Sequence, residues 1–471
     1  MKKFFESIKS SIDDIKFCKI ASELAERRQE EIFIVGGFVR DTLLGKIPRE
    51  IDFLIVGDGI DFANEFATAL GVKEVQVFKH FGTAHFYYDG FNLEFVMSRK
   101  ESYQSDSRNP VIEQGTFYDD IKRRDFTINT LAVSLNRNNY AVLIDLFNGL
   151  EDINKKIIRT PIDPITTFED DPLRILRAFR FASKLEFDIH PDTLTAIKLK
   201  AERLKIITQE RITDEFLKIM SYPKPSTGLI GLYESGILKI IFPELHNMGG
   251  VEQRKDFHHK DVFYHTCEVV DNVAQKSDNL WLRMAALLHD VAKPATKKFI
   301  EGIGWTFHGH EELGAKFAKN IFIRMKFSLN HLPYVQKLIR LHLRPIALVD
   351  EEVTDSAIRR LIVQAGEDLD DLFILCRADI TSKNQYKINM YLQNYDRVVQ
   401  KIFNVREKDK LRNFQSPVKG DEIMKIFNIP PSRLVGEIKS DIENAILDGK
   451  IPNDYDAAFN YLMSIKNKFI K

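Results

Sequence analysis

Cysteine is scarce: Cys18, Cys267 and Cys376 are the only three in 471 residues. An odd number with no close pair indicates neither a disulfide framework nor a thiolate zinc site, and a reducing compartment fits. Long hydrophobic runs are missing as well, so no membrane-spanning helix is expected. The opening MKKFFESIKSSIDDIKF starts basic but sets Glu6, Asp13 and Asp14 where a signal peptide needs an unbroken apolar core. Cytoplasmic residence is the resulting expectation. Net charge is absent too: Lys and Arg number 68, and Asp and Glu also 68. Binding of a polyanion must therefore rest on local basic patches.

What is present is a globular composition. Hydrophobic residues make up 44% and charged residues 29%, which excludes disorder, collagen-like structure and low-complexity assembly. At roughly 150 residues per domain the length predicts about three domains, each able to bury a core. Residues 5–30 carry apolar positions at helical spacing, and the pattern then changes to EIFIVGGFVRDTLLG, which reads as strand, tight turn, helix. Short apolar or alternating runs at 52–56, 75–78, 83–88 and 92–97, broken by Gly57, Gly59, Gly82 and Gly90, predict further strands. From Phe168 onward strand signals nearly vanish and amphipathic patterns such as PLRILRAFRFASKL take over. The expected fold class is α+β, a small mixed sheet followed by helices. Pro- and Gly-rich breaks near 222–231 and from 246 divide the rest, giving expected segments 1–163, 164–250, 251–390 and 391–471.

Chemistry gathers first in the N-terminal segment. Gly36 and Gly37 follow the strand IFIV and open a helix, so bare N–H groups at a positive helix end face whatever lies in front. By itself the pair is equally the punctuation of a tight turn. Arg40 and Asp41 follow on that helix, and the strand EIDFLIV then carries Glu50 and Asp52 two apart. Residues i and i+2 of a strand share a face, so both carboxylates can converge on one place. Hard oxygen ligands of this kind suit Mg²⁺, which keeps company with substrate phosphates. Glu94, in NLEFVM, is a candidate third carboxylate on a neighbouring strand, or else part of a solvent-facing row of acids.

The run GGFVRDTLLGKIPREID, then RRDFTINTLA from Arg123 and DDPLRILRAFRFA from Asp170, resembles the signature of class II tRNA nucleotidyltransferases (CCA-adding enzymes) and bacterial poly(A) polymerases. The resemblance implies a polymerase-beta-like nucleotidyltransferase head, an all-α neck, an HD helical domain and a helical tail. It implies that Gly36, Gly37 and Arg40 hold a triphosphate, that Glu50 and Asp52 bind Mg²⁺, and that Arg124 and Asp125 line a nucleotide pocket. Asp171 and Arg174 would read the incoming base, with Arg177 and Arg180 completing the basic side. Independently of the family, Asp171 can accept from the exocyclic amino group that cytosine and adenine share, and Arg174 can donate to their ring acceptors. At i and i+3 on a helix the two would share a face. The implied reaction is attack by an RNA 3′-hydroxyl on the α-phosphate of CTP or ATP, with two Mg²⁺ ions assisting. One departure stands out: the family normally has Asp where this chain has Glu50, one methylene longer. Thr130 also replaces a usual alanine.

A second constellation follows. His265 lies on a predicted helix, the adjacent pair His289 and Asp290 comes 24 residues later, then FHGH with His308 and His310, then Asp379. Histidines and aspartates on separate helices can meet in a bundle core and bind divalent metal. The order resembles the HD phosphohydrolase superfamily, and the resemblance implies His265, His289, Asp290 and Asp379 as ligands of a divalent metal of unknown identity. His308 and His310 are either contributors to a second metal or to phosphate binding, or else ordinary loop histidines, and His258, His259 and His342 have no assigned role.

Lys198, Lys200, Arg203, Lys205 and Arg211 form a cationic stretch beside the base-reading motif, suited to phosphates of a tRNA or to plain solvation. Expected partners are tRNA, CTP and ATP, with no membrane. Rival readings are a poly(A) polymerase, a partial CC- or A-adding enzyme, or an HD phosphohydrolase with an impaired head.

Overall fold

The computed structural model describes residues 2–79, 82–102, 111–251, 261–302, 304–348, 354–381, 385–409 and 416–469. His258, His259 and the loop around Asp106 lie outside them. Two units result: Met1–Ile219 with Thr227–Phe242, and Met220–Ser226 with Pro243–Lys471. The expected segments 1–163 and 164–250 thus fall mostly within the first unit, and 251–390 and 391–471 within the second.

The first unit carries strands β1 (Glu31–Val35), β2 (Glu50–Val56), β3 (Gln76–Phe78), β4 (Thr83–Tyr88), β5 (Phe91–Met97), β6 (Arg99–Ser102), β7 (Val111–Gln114), β8 (Ala132–Ser134) and β9 (Leu143–Ile144). Seven of them form one sheet in the order β3-β4-β5-β2-β1-β8-β9, and β6 with β7 makes a separate hairpin. Within the large sheet β2 and β5 run parallel while the other pairs run antiparallel.

Side-chain alternation then sorts core from site. Phe53 and Phe95 stack at 4.9 Å and meet Phe66 and Phe62 of the helix Gly59–Ala69, which packs on this face. Because successive residues of a strand point to opposite faces, burying Phe53 and Phe95 sends Asp52 and Glu94 to the other side. The β2–β5 register sets those two acids directly against each other. On that opposite face Phe33, Val35, Leu54, Ile121 and Ala132 form a smaller core.

Beyond the sheet come the helices Pro164–Asp170, Leu173–Leu185 and Pro191–Lys200. Asp171 is not on the helix with Arg174, as its i, i+3 spacing suggests, but in extended backbone at φ −137° between two helices. Pro172 is the reason, since the ring disfavours helical geometry in the residue before it. The Asp171 carboxylate instead accepts from Leu173 N at 3.1 Å and anchors the start of the next helix. Thr130 is fully buried, and its hydroxyl donates to Thr127 O at 2.7 Å, so the departure from alanine is accommodated.

The second unit is helical, with Val262–Ala274, Leu280–Leu288, His310–Arg324, Leu332–Leu341 and Leu369–Asp379 as its central members. Asp261 and Asn279 cap the first two by accepting backbone N–H groups at their starts. Arg283, 3% exposed, donates to the carbonyls of Met220, Tyr222, Ala274 and Ser277, which ties the chain entry to this bundle. Helices predominate as expected, and one short antiparallel ribbon interrupts them, Lys298–Ile300 with Gly304–Thr306. The segment 416–469 closes on its own core of Val418, Ile423, Phe427, Ile438, Ile442, Ile446, Ala458 and Leu462.

Gly149 begins the helix Gly149–Lys155 against the backbone of Thr127, where an added Cβ would lie 2.4 Å from the Thr127 carbonyl oxygen. Gly149→Ala is therefore expected to destabilise the protein by about 1–3 kcal/mol through overpacking, read as a lowered midpoint in thermal denaturation. An unchanged midpoint would show that the helix can withdraw without cost.

Candidate active site and metal centre

One cavity of the first unit, about 590 Å³, is lined by Gly36, Gly37, Arg40, Glu50, Asp52, Glu94, Arg124, Asp125, Asp171, Arg174, Arg177 and Arg180. Every residue singled out for the nucleotide site by sequence is thus brought to one place. Arg99, Arg123, Asn129, Phe181, Lys184 and Arg211 join them. In all, eight arginines and Lys184 surround five carboxylates, the charge balance a polyphosphate requires.

The acids cluster on the sheet and the cations around it. Asp52 is pushed up to about 6, chiefly by burial and then by Glu94 beside it and Glu50, with Arg124 and Arg40 acting against the shift. Glu94 outweighs Glu50 because the parallel register sets it directly opposite Asp52. Glu50, at the start of β2, is exposed. Crowded carboxylates of this kind fit a hard divalent cation, whose charge would relieve their repulsion.

Gly36 occupies φ +70°, a left-handed backbone conformation that favours glycine, and its turn comes up against the Arg124 guanidinium, 2.9 Å from where a Cβ would stand. Arg40 is buried and fixed twice, through Asp41 at 2.7 Å and the Asn129 side-chain oxygen at 2.5 Å. Lys184 reaches the same Asp41 at 3.2 Å. Burial works against the charge on Asp125, yet Arg177 and the Asn129 amide hold its carboxyl at about 2. Arg174 is buried, donating to Thr167 O at 3.2 Å and Arg123 O at 2.7 Å. Arg180 pairs with Glu215 at 2.9 Å. The Phe181 ring gathers three guanidinium groups, those of Arg40, Arg177 and Arg180, at 5.1, 5.5 and 4.6 Å. Sequence reading passed over Phe181 because an aromatic at helical spacing ordinarily signals core.

The cationic stretch divides. Lys200 pairs with Glu169, and Arg203 donates to the Glu169 carbonyl at 3.0 Å, so both brace the end of the helix Pro164–Asp170. Lys198 and Lys205 are exposed, the latter paired with Glu202. Arg211 lies 4.0 Å from Asp171.

In the second unit His265, His289, Asp290 and Asp379 meet. His265 Nε2 is 2.9 Å from Asp379 Oδ1 and 3.8 Å from Asp290 Oδ2, while His289 Nε2 is 3.2 Å from Asp290 and 3.4 Å from Asp379. His310 joins at 3.3 Å from Asp290, and His342 joins at 3.4 Å from His310. His308 is exposed and outside the cluster. His342 was assigned no role by sequence. The signal that could have found it is its position, since His289 and His342 each directly follow the last residue of a helix.

The chemistry of these donors fits a divalent metal. His289, His310 and His342 each send Nδ1 to a backbone carbonyl at 2.7 Å, that of Ala286, Phe307 and Ile339 respectively. A carbonyl only accepts, so Nδ1 carries hydrogen and Nε2 is turned into the cluster, the orientation metal-ligating histidines adopt. Among the described residues three buried atoms of the cluster, His289 Nε2 and both Asp290 carboxylate oxygens, make close ion-pair contacts but no well-aligned hydrogen bond. Burial opposes charge on His289, but Asp290 and Asp379 outweigh it and lift the imidazole to about 10. Burial together with neighbouring His289 pushes His342 down to about 4. The two carboxylates thus favour positive charge at His289, while His342 is kept in the neutral form in which an imidazole binds metal.

The Poly A polymerase head domain matches residues 32–159, the probable RNA and SrmB-binding site of polymerase A matches 186–248, and the HD domain matches 262–383. A multifunctional CCA protein of Shewanella frigidimarina is 33% identical over 311 residues, which is 63% of this chain and 70% of that protein. The chain belongs to the class II tRNA nucleotidyltransferase and poly(A) polymerase family. An A-adding tRNA nucleotidyltransferase of Aquifex aeolicus is 33% identical over 303 residues, 64% of this chain, which spans only 35% of that relative's length. A solved tRNA nucleotidyltransferase, complexed with a primer tRNA and an incoming ATP analog, is 27% identical, with a TM-score of 0.58 over 81% of this chain and 99% of that one. Head and HD families of this kind are typically metal-dependent. Among the described residues no helix is long and apolar enough to cross a membrane.

Two outcomes follow from the geometry. Asp52 has a raised carboxyl in the fold, so its ionisation costs stability above about pH 6, and below the ordinary carboxylate range folded and unfolded forms are both protonated. In chelator-containing buffer Asp52→Asn should therefore raise the thermal midpoint at pH 7, with the gain shrinking as pH falls from 6 towards 4. A midpoint that fails to rise at pH 7 would contradict the crowding. In the second unit, Asp290→Ala should lose bound divalent metal, measured by mass spectrometry after dialysis against Mn²⁺, and retention equal to the unaltered chain would remove the cluster as a metal centre.

Proposed function

We propose that the chain adds C and A nucleotides from CTP and ATP to the 3′ end of tRNA without a nucleic-acid template, and that its HD cluster hydrolyses phosphate esters. The observation that carries the first part is the single cavity lined by Glu50, Asp52, Glu94 and Asp171 together with eight arginines. Mg²⁺ held by the carboxylates would supply charge neutralisation between a nucleophilic oxygen and a triphosphate. The chain's own residues do the rest. Arg40, Arg124 and the Gly36–Gly37 turn receive the phosphates. Arg177 and Arg180, held against Phe181, close the basic side. Asp171 accepts from the exocyclic amino group of cytosine or adenine while Arg174 donates to the unprotonated ring nitrogen beside it; guanine and uracil carry a ring N–H there and lack that donor–acceptor pair on the same edge. Arg174 is already committed to two backbone carbonyls, so it offers its remaining N–H donors from a fixed position. Lys198 and Lys205 are proposed phosphate contacts for the RNA body, with Lys200 and Arg203 bracing the helix between. For the HD cluster the bound metal would activate water, and the proposed ligands are His265, His289, Asp290 and Asp379 with His310 and His342.

A narrower reading, addition of A alone, is favoured by the A-adding enzyme among the relatives. Incubation with tRNA lacking its 3′ terminus, supplied with CTP, ATP or both, separates the two. Ordered C, C, A addition is expected, with Asp52→Ala abolishing all incorporation. Incorporation of A only, and only after CC is present, would establish the narrower activity, while long A tails would overturn both.

A further inference from the structure

The ribbon Lys298–Ile300 with Gly304–Thr306 is a two-stranded sheet joined to no other. Ribbons this small are marginal in water unless they pack on something, yet this one shows its apolar side to solvent: Phe299 is 64% exposed and Trp305 39%. The two rings face each other across the strands, Phe299 opposite Trp305 in register, with centroids 5.3 Å apart at 74°. Lys297 places its ammonium 4.4 Å from the centre of the Trp305 ring, while Lys298, also exposed, precedes Phe299 on the strand and so belongs to the ribbon's other face. Tryptophan is one of the rarest residues here, two in the whole chain, so an exposed one on a ribbon is not explained by composition.

The ribbon's place in the chain gives it meaning. It begins just after Lys293, whose ammonium is 2.7 Å from Asp290, and it leads through Phe307, whose carbonyl holds His310 Nδ1, into the His/Asp cluster. Trp305 and His310 are five positions apart, which bounds the separation of their backbones at about 18 Å, a span that a strand of a few nucleotides covers. Exposed aromatic faces flanked by lysines are the means by which single-stranded nucleic acid is held: bases stack on rings and ammonium groups meet phosphates.

We propose that this ribbon is a stacking platform for single-stranded RNA, on which one or two bases near a 3′ end rest on Phe299 and Trp305 while the terminal phosphate reaches the His/Asp cluster. The inference builds on the hydrolytic reading of that cluster and names its substrate as an RNA end rather than a free nucleotide or small phosphate ester. Lys297, set against the Trp305 ring, favours a polyanion over an apolar protein partner.

The test uses the full chain carrying Trp281→Phe, in which Trp305 is the sole tryptophan, equilibrated with Mn²⁺. A short single-stranded oligoribonucleotide ending in a 3′-phosphate is expected to quench Trp305 emission, with inorganic phosphate leaving it unchanged. Phe299→Ala in that background should weaken the quenching titration about tenfold or more. In the otherwise unaltered chain Trp305→Ala should raise KM for phosphate release from the oligonucleotide, relative to KM for p-nitrophenyl phosphate, by a similar factor, and Trp305→Tyr should restore it. Quenching that survives when no ester is hydrolysed would remove the hydrolytic reading and leave the platform standing. Trp305 emission indifferent to the oligonucleotide overturns the platform. So does a Trp305→Ala chain whose metal content falls, since the ribbon would then only shape the cluster. A dimer in sedimentation that Trp305→Ala dissolves, with RNA ignored, would assign the rings to a second copy instead.

Discussion

Repulsion between carboxylates held on neighbouring strands is the constraint around which the head is organised. Asp52 and Glu94 are set against each other by the parallel pairing of β2 with β5, and no rotamer change can separate two strands in register. A fold that keeps such a pair forgoes some stability there, as functional sites often do. The surrounding arginines limit the cost. Several are themselves anchored, Arg40 by Asp41 and Asn129, Arg174 by two carbonyls and Arg177 by Asp125, so the cationic shell is in place before any ligand arrives. Positioning charge in advance is what phosphoryl-transfer sites contribute most.

The second unit solves a related problem with different groups. Asp290 and Asp379 are buried among imidazoles whose outer nitrogens are already tied to backbone carbonyls. Their carboxyls sit well below the ordinary range despite burial, through His289 and Lys293 for Asp290 and through His265 and His289 for Asp379. Both sites thus concentrate negative charge in partly desolvated surroundings and compensate it locally. The head does so with fixed guanidinium groups suited to a polyphosphate, and the helical unit with histidines suited to a borderline-soft metal.

Much of this could be read from the residues. The i, i+2 acids and the strand alternation put Glu50 and Asp52 on one sheet face with Glu94 on a neighbouring strand, and the structure has all three lining one cavity, because a strand's period of two is insensitive to context. What escaped depended on side chains distant in sequence. Phe181 looks like helix core until three arginines from two helices converge on it. His342 carries no motif, and only the meeting of two helix ends brings it to His310. The pair Asp171 and Arg174 was given one helix face because spacing was weighed and the effect of Pro172 on its predecessor was not. Lys200 and Arg203 read as free cations, and Glu169 claims both. The ribbon at 298–306 was hidden by the helical patterns on either side of it.

The account stands most directly on what occupies the space in front of β2. A crystal structure of the chain grown with Mg²⁺ and a non-hydrolysable CTP analogue would decide it. The account predicts a cation in contact with Asp52, the phosphates among Arg40 and Arg124, and the cytosine amino group at the Asp171 carboxylate. Carboxylates turned away from one another with no cation among them, or a nucleotide bound outside the arginine-lined cavity, would contradict it.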